Sequence, residues 1–167
     1  RREPSPRLDV LDSPDPRVKA AVDRARRVAG RGVALVIQGE SGVGKEVLAR
    51  ALHASGPRAA GGFVVVQASA LPTTLIEAEL FGHDGGAFTG AREQGTPGRV
   101  RQADDGTLFL DDVAELPQSA QAALLRVLQD RAVQPLGSAQ AVAVDFDLVC
   151  ATREPLAAAV QAGRLRE

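Results

Sequence analysis

The segment Gly39-Glu40-Ser41-Gly42-Val43-Gly44-Lys45-Glu46 carries the strongest chemical signal in the sequence. It lies between an apolar run and a helical pattern, and its spacing of glycine, four residues and Gly-Lys is typical of a phosphate-binding loop. Glycines allow backbone amides to turn toward phosphate oxygens, the helix N-terminus adds its dipole, and Lys45 can reach the terminal phosphates. The alternative is a glycine-rich helix start without a ligand. Because Lys45 is one of only two lysines, beside Lys19, its position favours the phosphate site.

Two carboxylates, Asp111 and Asp112, follow the apolar run Thr107-Leu108-Phe109-Leu110. At the end of a buried strand, one carboxylate can bind a metal ion while the second positions an attacking water molecule. Acids at strand ends also act simply as caps or turn residues. Together with the phosphate loop, the pair favours a catalytic role, with Asp111 at the metal.

The segment 85–91, Gly-Gly-Ala-Phe-Thr-Gly-Ala, is a third candidate site. Its glycines predict a flexible loop, and its only large side chains are the aromatic ring of Phe88 and the hydroxyl-bearing Thr89. An exposed apolar group that buries nothing locally is a candidate contact for a partner.

Apolar runs that alternate with helical patterns must position these motifs. Strands are predicted at 33–37, 63–66, 107–111 and 142–151, the first of them buried on both faces. Helices are predicted at 17–28, 45–53, 73–81, 117–130 and 155–162, with Thr73 as the cap of the third and Leu124, Leu125 and Leu128 facing inward in the fourth. The alternation predicts an α/β fold with a mostly parallel sheet covered on both faces. Residues 1–16 contain four prolines and read as a linker or lead-in, and 82–98 as a loop or loop-tipped excursion.

Composition excludes several classes of protein. The chain has 167 residues, 44% of them hydrophobic and 25% charged, which is typical of one globular domain. Its 20 basic and 21 acidic residues argue against a basic nucleic-acid or membrane-surface binder. No apolar run approaches the roughly 20 residues of a membrane span. The single Cys150 favours a reducing cytoplasm and a place in the strand core, whereas His83 is expected on the loop surface. The chain lacks an initiator Met, and we expect it to be a piece of a longer protein.

Four stretches in this order, GESGVGKE, ELFGHDGGAFTGA, GTLFLDDV and LLRVLQD, resemble the central AAA+ domain of sigma-54-dependent transcription activators, the bacterial enhancer-binding proteins. The resemblance runs from about Asp12 to the last residue. GAFTGA is highly specific to that family, and the family also carries Glu after the loop lysine, as Glu46 does here. The stretches LVCAT and TPGRVRQADDGT resemble activators of acetoin catabolism and suggest that subgroup.

The resemblance implies a P-loop NTPase of the AAA+ type, truncated before the helical lid, with 1–16 as lead-in and 17–167 as a partial α/β subdomain. It implies a ring-forming ATPase, usually a hexamer, that uses ATP and Mg²⁺ to remodel the closed complex of RNA polymerase with sigma-54. The matching residues are Gly39, Gly42, Gly44, Lys45 and Glu46 in the nucleotide loop, Asp111 at the metal, Asp112 polarising water, Gly86, Ala87, Phe88, Thr89, Gly90 and Ala91 touching sigma-54, Thr152 as first sensor, and Arg166 as an arginine reaching the neighbouring subunit's ATP.

Three positions depart from the family, which usually has Glu at Asp112, Asn at Gln67 and Asn at Arg153. Asn with Glu and Gln with Asp contain the same number of methylenes, so a hydrogen bond between Gln67 and Asp112 is predicted to survive the exchange. The shorter Asp112 withdraws its carboxylate from the water, which slows hydrolysis or is a harmless variant. Arg153 either adds positive charge near the phosphates or points to solvent.

The second functional reading is a nucleotide-binding AAA+ assembly module with little or no hydrolysis. A helicase loader or unfoldase is disfavoured, because GAFTGA has no role there. Family members usually add a regulatory domain before this region, and a second arginine, a last strand, a lid and a DNA-binding helix-turn-helix after it. DNA contact is therefore expected only through a missing C-terminal domain, with no membrane contact, and this piece alone is expected to bind nucleotide weakly.

Overall fold

The computed structural model describes residues 15–87 and 95–166. In chain order its elements are α1 Pro16–Val28, β1 Leu35–Gln38, α2 Lys45–Ser55, β2 Phe63–Gln67, α3 Ile76–Phe81, α4 Gly98–Gln102, β3 Thr107–Asp111, α5 Gln118–Asp130, β4 Ala132–Val133, β5 Val142–Ala143, β6 Asp147–Thr152 and α6 Leu156–Gln161, with 3₁₀ turns at Ala68–Ala70 and Val113–Glu115.

Four strands form one parallel sheet in the order β1-β6-β3-β2, and β4 pairs with β5 in a separate antiparallel hairpin. The central strand β3 matches its predicted range, and the side chains of Thr107, Leu108, Phe109 and Leu110 are buried. All four sheet strands end at the same edge, because they are parallel. The 39–46 loop follows β1 at that edge, and Asp111 and Asp112 stand there at the end of β3.

Helices cover both faces of the sheet, as predicted. Leu108 and Leu110 face α3, α4 and α5 within the larger core cluster, whereas Phe109 faces the opposite side with Ala49 of α2. Helix α1 packs on α2 through Val22. Because side chains alternate along β3, this one strand contributes to the hydrophobic cores on both faces of the sheet.

Three sequence predictions about these elements were wrong. β1 is not buried on both faces, because it lies at a sheet edge and leaves Val36 43% exposed. Thr73 does not cap α3, which begins three residues later after a turn in which the Leu75 amide donates to the Pro72 carbonyl. Leu125 of α5 is 49% exposed, because the buried stripe follows Ala120, Leu124 and Val127.

The predicted strand 142–151 is two strands with different partners. β5 belongs to the antiparallel hairpin with β4, whereas β6 enters the main sheet between β1 and β3. Between them the Asp145 amide donates to the Asp104 carboxylate, and the Asp145 carbonyl accepts from the Asp105 amide. The chain thus changes its strand partner at Asp145.

None of the helices in the described ranges is long and apolar enough to cross a membrane.

Candidate functional site

The 39–46 loop connects β1 to α2 and contains two glycines in the left-handed region. Gly42 has φ +80° and Gly44, at the N-cap of α2, has φ +88°. A Cβ at either position would meet no atom within 4 Å, so the space over the loop is open. Glycine is favoured here by backbone conformation, since left-handed backbone is strained for other residues.

The Lys45 side chain folds back over this loop. Its Nζ donates to the Gly39 carbonyl at 2.9 Å and to the Glu40 carbonyl at 2.8 Å. The Gly39 amide in turn donates to the Thr152 carbonyl at 3.1 Å, which ties the loop to the end of β6. The neighbouring Glu46 carboxylate pairs with Arg50 at 2.7 Å, one turn further along α2. Two backbone carbonyls therefore hold the Lys45 ammonium group against the loop.

Asp111 and Asp112 stand where β3 ends. Asp111 is the last strand residue and lies in register with Gln67 of β2. Asp112 adopts left-handed backbone, with φ +54°, and its amide donates to Asp111 Oδ1 at 3.0 Å. The strand therefore stops between the two acids, and the chain turns into the 3₁₀ segment that follows.

The carboxylate of Asp112 has a different partner on each oxygen. Ser69 Oγ donates to Oδ2 at 2.7 Å, and Arg153 Nε lies 3.1 Å from Oδ1. The Asp112 side chain is 12% exposed and that of Arg153 is 55% exposed. Among the described residues no hydrogen bond joins Gln67 to Asp112, because Gln67 stands opposite Asp111, one residue too early. The bond predicted from the exchanged side-chain lengths is therefore not formed.

One cleft of about 510 Å³, here called the main cleft, brings most of the predicted residues together. Four strand ends contribute to it, so its walls carry the loop lysine, both acids and one unpredicted group, Ser69. Arg153, for which the sequence left a place near the phosphates or in solvent, also lines this cleft. The residues that line it are Ser41, Gly42, Gly44, Lys45, Glu46, Val47, Gln67, Ser69, Asp111, Asp112 and Arg153. Ser69 had one usable signal, a polar side chain two residues after the end of β2.

Two of the residues predicted to be catalytic, Thr152 and Arg166, do not line the main cleft. Thr152 is buried, and its hydroxyl donates to the Glu154 carbonyl at 3.1 Å, facing a second cleft of about 470 Å³ that also contains Arg164. Arg166 is exposed, and its amide donates to Gln121 Oε1 at 3.0 Å. Both residues therefore lie outside the group that surrounds Lys45.

Asp112 and Arg153 line both clefts, so their ion pair forms the wall between them. On the far side, Glu154 pairs with Arg164, and this guanidinium holds the pKa of Glu154 below its usual value. The described residues contain no group of three or more His, Cys, Asp or Glu side chains that could hold a metal ion. Asp111 alone suits Mg²⁺ that takes its other ligands from phosphates and water.

Of the GAFTGA segment, Gly86 and Ala87 belong to the described residues, whereas Phe88, Thr89, Gly90 and Ala91 lie outside them. Two chain sections that precede and follow this segment, 82–85 and 95–98, are here called the stem. His83 and Thr96 exchange backbone hydrogen bonds of 2.9 and 2.8 Å across it.

The stem also rests on the chain between β4 and β5. The Asp84 amide donates to the Leu136 carbonyl, and the Leu136 amide donates to the Gly82 carbonyl. His83 is only 8% exposed, so its predicted surface position was wrong; these backbone bonds enclose it. Cys150 is buried in the sheet as predicted, and burial raises the pKa of its thiol to about 12.

The parallel sheet, the glycine loop before α2 and the two strand-end acids define the architecture of a P-loop NTPase of the AAA+ type. The profile of the Sigma-54 interaction domain matches residues 11–167. The chain belongs to that family, the activator domains that act with sigma-54.

Individual relatives agree with this assignment. The chain is 47% identical over 152 residues to the Nif-specific regulatory protein of Azotobacter vinelandii, covering 91% of the chain and 29% of that protein. It is 44% identical over 151 residues to the acetoin dehydrogenase operon transcriptional activator AcoR of Bacillus subtilis, covering 90% and 25%. The identity to the Nif-specific protein is at least as high as that to AcoR, so the comparison does not single out the acetoin subgroup.

Among solved structures, NtrX from Brucella abortus in complex with ATP superposes with a TM-score of 0.80 at 33% identity. The match covers 94% of this chain and 33% of the NtrX chain. The chain spans about a quarter to a third of the length of most of the curated relatives it matches.

Proposed function

We propose that this chain is an ATP-hydrolysing activator domain that remodels the closed complex of RNA polymerase with sigma-54. One observation carries the proposal: the 39–46 loop with Lys45 and the acids Asp111 and Asp112 line the same cleft of about 510 Å³. NtrX, which resembles this chain in structure, has been solved in complex with ATP, and this supports ATP as the ligand.

In this proposal each wall of the main cleft has a separate task. The amides of the 39–46 loop and Lys45 Nζ bind the phosphates, which requires Lys45 to exchange its carbonyl partners for phosphate oxygens. Asp111 would hold Mg²⁺, which neutralises charge that develops on the phosphates. Asp112 orients a water molecule that attacks the terminal phosphorus, while the bond to the bridging oxygen breaks and yields ADP and phosphate.

The work on sigma-54 is assigned to the 86–91 segment. A contact surface there needs a firm base, and the stem with its backbone hydrogen bonds offers one. Phe88 and Thr89 supply the aromatic and hydroxyl contacts, as the family resemblance implies. Replacing either by Ala is expected to abolish sigma-54 binding while leaving ATP binding intact; retained sigma-54 binding in both variants would exclude this segment.

The remaining roles belong to the whole protein. We assign 1–16 as lead-in and 17–167 as part of the AAA+ α/β subdomain of a cytoplasmic protein. It would assemble as a ring, usually a hexamer, in which Arg166 reaches the ATP of the neighbouring subunit and Thr152 serves as the first sensor. DNA would be bound through another domain.

A second candidate is an assembly module that binds ATP with little hydrolysis. The Arg153–Asp112 ion pair favours this candidate, because Arg153 occupies one oxygen of the carboxylate that should orient the water molecule. The short side chain of Asp112, which withdraws the carboxylate from the water, also favours slow hydrolysis. ATP binding without phosphate release would select this candidate.

The proposed function is tested with Lys45→Ala, and the chain's other lysine provides a matched control in Lys19→Ala on the exposed side of α1. Calorimetric ATP binding and phosphate release are measured in the full-length protein across a range of concentrations. We expect a rate per subunit that rises with concentration, loss of binding in Lys45→Ala, and no change in Lys19→Ala. Equal ATP binding by both variants would refute the nucleotide site.

A further inference from the structure

We propose that Arg153 has two competing partners: the Asp112 carboxylate, and the terminal phosphate of a nucleoside triphosphate in the main cleft. Transfer of Arg153 from the first to the second releases one oxygen of Asp112 for the attacking water. This inference rests on the proposed function and adds to it a residue that senses the terminal phosphate.

The strand order places Arg153 between the two groups that it would connect. It follows Thr152, the last residue of β6, and β6 lies between β1 and β3. The 39–46 loop leaves β1 on one side, and Asp112 follows β3 on the other. Arg153 and Lys45 both line the main cleft, so an anion held by the lysine occupies the same cleft into which the arginine can reach.

The Arg153–Asp112 pair is suited to exchange. The arginine side chain is 55% exposed, and the contact of 3.1 Å uses Nε, one of several donor groups on the guanidinium. An ion pair with one partner in water is weak, since solvent competes for it. A terminal phosphate carries more charge than a carboxylate and accepts paired guanidinium hydrogen bonds, so it competes well for arginine.

Ser69 gives the exchange a defined outcome. It holds Oδ2 of Asp112, whereas Arg153 contacts Oδ1. When Arg153 leaves, the serine keeps the carboxylate oriented, and Oδ1 becomes available to accept a hydrogen bond from water. A nucleoside diphosphate lacks the terminal phosphate, so it leaves the ion pair in place. Arg153 would therefore favour ATP over ADP.

The test measures binding, without hydrolysis, of a fluorescent non-hydrolysable ATP analogue and of fluorescent ADP to the full-length protein. Arg153→Gln is expected to weaken the binding of the analogue about tenfold and to change the affinity for ADP less than about twofold. Asp112→Asn frees Arg153, so this single variant should bind the analogue about threefold more tightly than the wild type. The double variant, Asp112→Asn with Arg153→Gln, should bind the analogue no more tightly than Arg153→Gln alone.

Arg131→Gln is the matched control. Arg131 is 46% exposed and contacts Asp145 Oδ1 at the same 3.1 Å, but Asp145 precedes β6 and so lies at the opposite edge of the sheet. This variant removes the same charge from a similar pair and should leave the binding of both nucleotides unchanged. Retained ADP binding by Arg153→Gln shows that the variant is folded.

Three outcomes overturn the inference. The first is an equal loss of affinity for the analogue and for ADP in Arg153→Gln, which would indicate general charge attraction. The second is an equal effect of Asp112→Asn with and without Arg153, which would show that the two side chains do not compete. The third is wild-type protein that binds neither nucleotide, which refutes the proposed function itself.

Discussion

Replacing Gly98 by Ala should strongly destabilise the base of the 86–91 segment. Gly98 has φ +79°, and a Cβ there would lie 2.3 Å from the Gly82 amide nitrogen, 2.5 Å from the Phe81 carbonyl carbon and 2.8 Å from the Leu80 carbonyl oxygen. All three atoms belong to the backbone, so no side chain can rotate away. The two halves of the stem would have to separate.

The free energy of unfolding should fall by two contributions. Left-handed backbone costs an alanine about 1–2 kcal/mol, and overpacking of a tight site adds about 1–3 kcal/mol. The expected total for Gly98→Ala is therefore about 2–5 kcal/mol. Gly163→Ala isolates the first contribution, because Gly163 has φ +70° and a Cβ there would meet no atom within 4 Å.

Urea unfolding followed by circular dichroism is the suitable assay, because the chain contains no Trp or Tyr for fluorescence. For a domain of this size, each kcal/mol corresponds to about 2–4 °C in the melting temperature, which provides a second readout. Equal destabilisation by Gly98→Ala and Gly163→Ala would refute the close backbone approach in the stem.

Three further predictions concern single side chains. Cys150, whose pKa is raised to about 12 by burial, should resist alkylation at neutral pH until urea unfolds the protein; mass spectrometry showing rapid labelling of folded protein would contradict its burial. The hydrogen bond from Arg58 lowers the pKa of Asp145 below its ordinary 3.8, so this stabilisation exists at neutral pH and is lost as pH falls through the lowered pKa. Arg58→Ala should thus destabilise the protein at neutral pH and less in acid, as urea titrations at both would measure; an equal loss at both argues against the ion pair. Ser69→Ala should lower the turnover number about tenfold with ATP affinity unchanged, since the carboxylate of Asp112 loses one of its supports; steady-state ATPase kinetics check this, and unchanged turnover would show that Ser69 does not position it.

The sequence predicted the parts of the fold whose signals are local. β3 was found over its full range because its apolar run lies in the middle of the sheet, buried from both sides. The start of α2 followed from the glycine spacing. Errors arose where a partner distant in sequence decides the outcome: alternation over 142–151 fits either kind of strand, and only the pairing with β4 or β3 separates them.

The candidate site shows the same division. Lys45, Asp111 and Asp112 could be found from spacing alone, and the structure brings them to one cleft. The partners of Asp112 could not, because they depend on strand register and on where each strand ends. Gln67 has a suitable side chain but faces Asp111, while Ser69 and Arg153 reach Asp112 from the turns that follow two neighbouring strands.

The backbone contacts of the stem have a mechanical consequence. Where Gly82 and Gly98 meet there is no side chain to deform. Four backbone hydrogen bonds hold the region together, two between His83 and Thr96 and two that join Gly82 and Asp84 to Leu136. A pull on the segment between the two halves therefore cannot be absorbed by rotamer changes at its base. A force on the 86–91 segment would therefore be transmitted through these hydrogen bonds to the turn around Leu136, and the β4–β5 hairpin would bear part of the load.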